Sequence, residues 1–167
     1  MPFADPALAD KGGETVDFRP WMLETAFSFI RGSRLLWEKN LGTPSMVNAA
    51  IGLEILFKSF NATVDGPSGG IGEQYQVVRN LGHNLLRLFD AIPEATRNRL
   101  GFQTYRDYFE GRIGNLFVLA RYPYERNSMA SGGTAIIEVA EEMFDRVIRQ
   151  YKEAGCTDPW IVAFPNV

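Results

Sequence analysis

Two residue types are almost missing from this chain: it carries one cysteine, Cys156, and one histidine, His83, in 167 residues. A single thiol cannot close an intramolecular disulfide and excludes a cysteine-cluster metal centre. A single imidazole excludes a histidine-rich zinc site, which leaves carboxylate sites for magnesium as the open class and no metal or cofactor expected. Nor is there a run approaching the ~18 apolar residues that a membrane helix needs. The opening stretch MPFADPALADKGG lacks the basic start and apolar centre of a signal peptide. These absences predict a soluble, cytoplasmic protein with no membrane association. What is present is ordinary globular usage, 46% hydrophobic and 22% charged, in a length that suits one domain able to bury a core without staples.

Lysine is scarce too, with four in the chain, and all four lie outside the segment from Arg79 to Arg126. That segment holds eight arginines against five acids, a balance of +3 within a net charge of −3. The acidic total argues against a general nucleic-acid coat. The local excess permits a phosphate-binding face, since arginine offers a planar fork where lysine offers a point charge. A solvated surface is the default reading of the same residues.

Periodicity predicts helices almost throughout. Residues 1–17 read as a flexible arm and 18–155 as a helical bundle domain. The first helix starts at Pro20, with Trp21, Phe27, Ile30 and Trp37 on its apolar side, and breaks at Gly42-Thr43-Pro44-Ser45. The second, about Ser45 to Asn61, is apolar nearly all round, as befits the centre of a bundle or an interface. Its polar exceptions include Glu54 and Lys58, four apart with the acid first, the favourable order for a helical ion pair. Residues 63–72 read as a loop or flap and 74–78 as a short strand. A helix over Arg79–Asp90 contains His83 and stops before Pro93, where another begins. Shorter apolar segments lead to Arg121-Tyr122-Pro123-Tyr124. A loop at 127–133 precedes the clearest helix, N-capped by Thr134, with Ile136, Ile137, Ala140, Met143, Phe144, Val147, Ile148 and Tyr151 at helical spacing and Gly155 as its stop. Residues 156–167 form an apolar tail that packs on the bundle or on a partner. The predicted architecture is all-α: four main helices, one or two short ones, little or no sheet. The predicted core is Phe27, Ile30, Ile51, Ile55, Phe57, Leu85, Leu88, Phe117, Ile137, Ala140, Phe144, Val147 and Ile148.

Several chemistries drop out on motif grounds. Gly69-Gly70-Ile71-Gly72 lacks the lysine and serine or threonine of a phosphate loop, and no Gly-x-Ser-x-Gly turn occurs. Cys156 has Lys152 as its one nearby cation in sequence and reads as an inert thiol. His83 is the remaining candidate. Its chemical reading is an acid or base near neutral pH; its plainer reading is a hydrogen bond to a carboxylate such as Glu54 that orients two helices.

Taken in order, NAAIGLEILFKSF at 48–60, a glycine-bearing loop, GHNLLRLFDAIP at 82–93, ARYPYE at 120–125 and a long amphipathic helix resemble the HEPN family, over roughly Met46 to Lys152. The resemblance implies an all-α, HEPN-like bundle, a homodimer, and association with nucleotide or RNA chemistry or with a nucleotidyltransferase partner. Ribonuclease members carry arginine, a polar residue and histidine with four to six residues between the outer two. Here only three separate Arg79 from His83, and the pair falls at the start of the middle helix rather than in the late one. The favoured expectation is therefore a binding module without catalysis, taking its ligand at Glu54, Lys58, His83, Asn84, Arg121 and Tyr122. A metal-independent ribonuclease using His83 and Arg79, which would share one face if that stretch were helical, is the alternative. A protein-only assembly module is the third.

Overall fold

The computed structural model describes residues 8–9, 15–65, 74–77, 81–128 and 133–167. Its frame is a pair of long helices, α1 (Pro20–Glu38) and α2 (Gly42–Ser59). They run antiparallel: Ser45 Oγ donates to Ser33 O at 2.7 Å, while Gly52, further along α2, faces Ala26 and Ile30, earlier on α1. The seam is made of small residues, Ala26, Ser33, Ser45, Ala49 and Gly52, all buried, so the two backbones approach closely. The break between the helices falls at Lys39–Leu41, before the predicted breaker, and Gly42 to Pro44 form the first turn of α2. Proline is tolerated there because first-turn N–H groups have no partner within the helix.

The face of α1 is rotated from the expected one. Leu23, Ala26, Ile30 and Ser33 are buried, whereas Trp21 is exposed and meets Tyr75 at a ring separation of 6.5 Å. α2 is central as expected, touching α1, the middle helix, the short helix before Arg121 and the last long helix. Phe27, Ile51, Ile55 and Phe117 of the predicted core are only partly buried; the other nine predicted members are buried.

Two short ribbons accompany the helices. β1 (Leu8–Ala9) pairs antiparallel with β2 (Thr15–Val16), and β3 (Ala62–Asp65) with β4 (Gln74–Val77). The expected arm is thus paired at 8–9 and 15–16, and the buried Val16, Phe18 and Arg19 carry the chain into the core. Arg19 is a hub: its N–H donates to the Tyr151 hydroxyl, Nε to Ala62 O and Nη1 to Phe18 O. The strand expected near 74–78 is present over 74–77, and its partner strand came without a sequence signal.

α3 (Leu85–Asp90) and α4 (Glu94–Leu100) follow, then single 3-10 turns at Gln103–Tyr105, Asp107–Phe109 and Ile113–Asn115, and α5 (Leu116–Arg121). Gly101 ends α4 at φ 66°, the left-handed C-terminal conformation that glycine adopts without penalty. α6 (Ala135–Glu153) buries the predicted stripe against α1 and α2, but Thr134 makes no side-chain cap. The tail turns into α7 (Pro159–Ala163), capped by Asp158, whose carboxylate accepts from Trp160 N and Ile161 N. Trp160 and Phe164 close on Phe27 and Phe144 at ring separations of 5.3–6.4 Å, so the apolar tail packs on its own chain. The fold is predominantly helical, built on three long helices and four short ones among the described residues. No helix among those residues is long and apolar enough to cross a membrane.

Candidate functional site

Glu54 lies in the second half of α2, 8% exposed, with Leu53, Leu56 and Phe57 buried beside it. An isolated carboxylate there would cost several kcal/mol of lost hydration, so it must be paired. It has two partners. Lys58, one turn on, reaches Oε1 at 2.6 Å. His83 brings Nδ1 to 3.0 Å from Oε1 and 2.9 Å from Oε2. An ionised carboxylate only accepts, so Nδ1 carries the proton, and Nε2 is an acceptor in the neutral ring and a donor in the imidazolium. The His83 side chain is 53% exposed, so the arrangement presents a carboxylate-oriented imidazole at the surface.

His83 is held from a turn. Residues 81–84 are not helical, and α3 begins only at Leu85, which corrects the helix expected from Arg79. Gly82 stands at φ 65°, where the Cβ of any other residue would be strained, and it swings His83 back toward α2. Arg79 lies outside the described residues. The argument that Arg79 and His83 share a helical face loses its basis, because the segment entering α3 is a turn.

On its other side His83 packs against Phe117 of α5, ring centres 4.7 Å apart. One turn further on, the Arg121 guanidinium lies 5.2 Å from the same Phe117 ring and 4.5 Å from the Tyr122 ring. Tyr122 in turn stands 6.0 Å from Tyr124. Glu54, Lys58 and His83 are therefore in direct contact, and Arg121 and Tyr122 join them through Phe117. Asn84 does not join. Its Oδ1 accepts from Arg87 N as the N-cap of α3, and its Nδ2 donates to Asn115 Oδ1 at 2.9 Å. An asparagine three residues before an N–H that needs a partner is a capping signal that the sequence offered. Phe117 was assigned to the core; its place four residues before Arg121 on one helix face was the clue to its second role.

Among the described residues, no group of three or more histidine, cysteine, aspartate or glutamate side chains could hold a metal ion. Compared with known proteins, the chain matches no family model, no curated protein and no solved structure.

Proposed function

We propose that the protein is a non-catalytic binding module for a phosphate-bearing ligand, a nucleotide or an RNA segment, held at the Glu54–Lys58–His83 cluster with Arg121. The observation that carries this reading is the convergence of Lys58 and His83 on one buried carboxylate, with Arg121 against the ring that His83 also touches. Charge-assisted bonds from such groups are the strongest an anionic ligand can meet on a protein surface. The resemblance to the HEPN family supports the same ligand class, an all-α HEPN-like bundle, and service to a nucleotidyltransferase partner. Calorimetric titration with a trinucleotide tests it: Lys58→Ala and His83→Ala should each weaken binding severalfold, with the salt slope falling by about one for each lost phosphate contact. No measurable binding by the unaltered protein would end the proposal.

A second reading, metal-independent ribonuclease, is favoured by one feature, the imidazole whose Nδ1 is backed by Glu54. A carboxylate in that position fixes the tautomer that leaves Nε2 ready to take a proton from a ribose 2′-hydroxyl. His83→Ala separates the two readings. It abolishes cleavage with RNA binding largely intact if the protein is a ribonuclease, and it costs affinity with no rate to lose if it is a binding module.

A further inference from the structure

We infer that the site takes single-stranded nucleic acid rather than a free nucleotide, with bases stacked on Tyr122 and Tyr124 and the backbone running toward Lys58. The inference rests on the phosphate-binding reading above and names its ligand. Its basis is a continuous row of flat groups: the His83 ring on Phe117, Phe117 under Arg121, Arg121 over Tyr122, and Tyr122 beside Tyr124. The row starts at a buried carboxylate and ends at a tyrosine that is 82% exposed. A lone exposed ring needs no explanation, but an ordered series of rings with a guanidinium layered into it is the surface on which unpaired bases stack.

The exposed end is also held in place. Arg112 Nη2 donates to Asn127 O at 3.0 Å and Ser128 O at 2.9 Å, and Ser128 Oγ donates to Pro123 O at 2.6 Å. Backbone bonds from Glu125 N to Tyr122 O and from Ser128 N to Glu125 O complete the turn. Tyr124 is thus presented on a cross-braced turn, so ordering it for a ligand costs little. The charge that faces a polyanion along the row is Arg121: at the buried end Lys58 is paired with Glu54, and the segment from Arg79 to Arg126 that carries the rings has a +3 balance. Stacking is indifferent to base identity, so recognition should be tolerant of sequence.

The test is fluorescence anisotropy of the full chain with a labelled oligouridylate, an abasic oligonucleotide of equal length, and tripolyphosphate as a base-free competitor. The expected result is oligouridylate binding well above abasic binding. Tyr122→Ala and Tyr124→Ala should each lower oligouridylate affinity roughly tenfold, with Tyr124→Phe near the unaltered protein and tripolyphosphate binding unmoved by Tyr124→Ala. Equal affinity for oligouridylate and abasic strand would overturn stacking and leave the phosphate reading standing. So would a Tyr124→Phe loss as large as that of Tyr124→Ala, which would assign the effect to the hydroxyl. Polyglutamate competing as well as oligouridylate would mark a charge surface alone and overturn the inference. If neither tripolyphosphate nor oligouridylate binds, both readings fall together.

Discussion

Glu54 occupies a buried position among apolar neighbours, and its carboxylate is stable there because a lysine and a histidine both donate to it. Removing the charge while keeping the shape isolates that role. Glu54→Gln should lower stability by about 1–3 kcal/mol, the range for hydrogen bonds to charged groups, and release the His83 ring. Urea denaturation with side-chain NMR of the single histidine reads both effects; an unchanged midpoint would mean that the pair adds nothing. Gly82 governs the same contact from the backbone. A Cβ at Gly82 meets no atom within 4 Å, so Gly82→Ala tests the φ of 65° alone. It should cost about 1 kcal/mol and weaken ligand binding more than it lowers the melting temperature, since the turn it distorts aims His83.

At the scale of elements, the close α1–α2 seam makes the sharpest claim. A Cβ on Gly52 would sit 2.6 Å from Ile30 Cγ1 and 3.2 Å from Ala26 O and Ile30 N. Alanine gains up to about 1 kcal/mol over glycine as a helix former, whereas forcing two backbones apart costs about 1–3 kcal/mol, so Gly52→Ala should be net destabilising. A raised melting temperature would show that the seam yields. Phe144→Ala on α6 should cost about 3–5 kcal/mol, while Ile55→Ala on the half-buried edge of α2 should cost under about 2 kcal/mol, and paired denaturation curves rank them. These contrasts mark what the sequence made legible. α6 was readable because its apolar residues form one clean stripe. The face of α1 was not, because Ala26 and Ser33, which no hydrophobicity count selects, are the residues that reach α2, while Trp21 turns out to Tyr75. At the site, Glu54, Lys58, His83 and Arg121 were nameable from residue type and spacing. The turn at 81–84 was hidden by the apolar run that follows it, which reads as an earlier helix start and drew attention from the capping signal at Asn84.

For the whole molecule, α2 and the aromatic side of the tail, which the sequence left open to a partner, pack within one chain. A dimer would have to use what stays exposed, such as Leu35 in the last turn of α1 and Leu41 between α1 and α2. Leu35→Glu should then yield a monomer by sedimentation, and an unaltered protein already monomeric at micromolar concentration would remove the dimer. Alkali should destabilise the fold through three tyrosines. Burial and a hydrogen bond to Glu142 push the Tyr105 hydroxyl up to about 12, and burial raises Tyr108 and Tyr151 as well. All three hold their protons more tightly folded than unfolded, so their contribution to stability is complete below pH 10, where the free side chain titrates, and that of Tyr105 is lost as pH rises toward 12. Tyr105→Phe should move the alkaline midpoint upward, followed by circular dichroism; a downward shift would refute the assignment. The central position of α2 also has a consequence in time. Its amides are shielded on nearly every side, so they should exchange with deuterium only when the whole chain opens, whereas the braced but exposed turn at Tyr122–Ser128 should exchange sooner than α2 and later than an unbraced loop. The two ends of the row that runs from Glu54 to Tyr124 would then belong to different clocks, with the anchoring end set for the lifetime of the fold and the outer end for the lifetime of its bracing bonds.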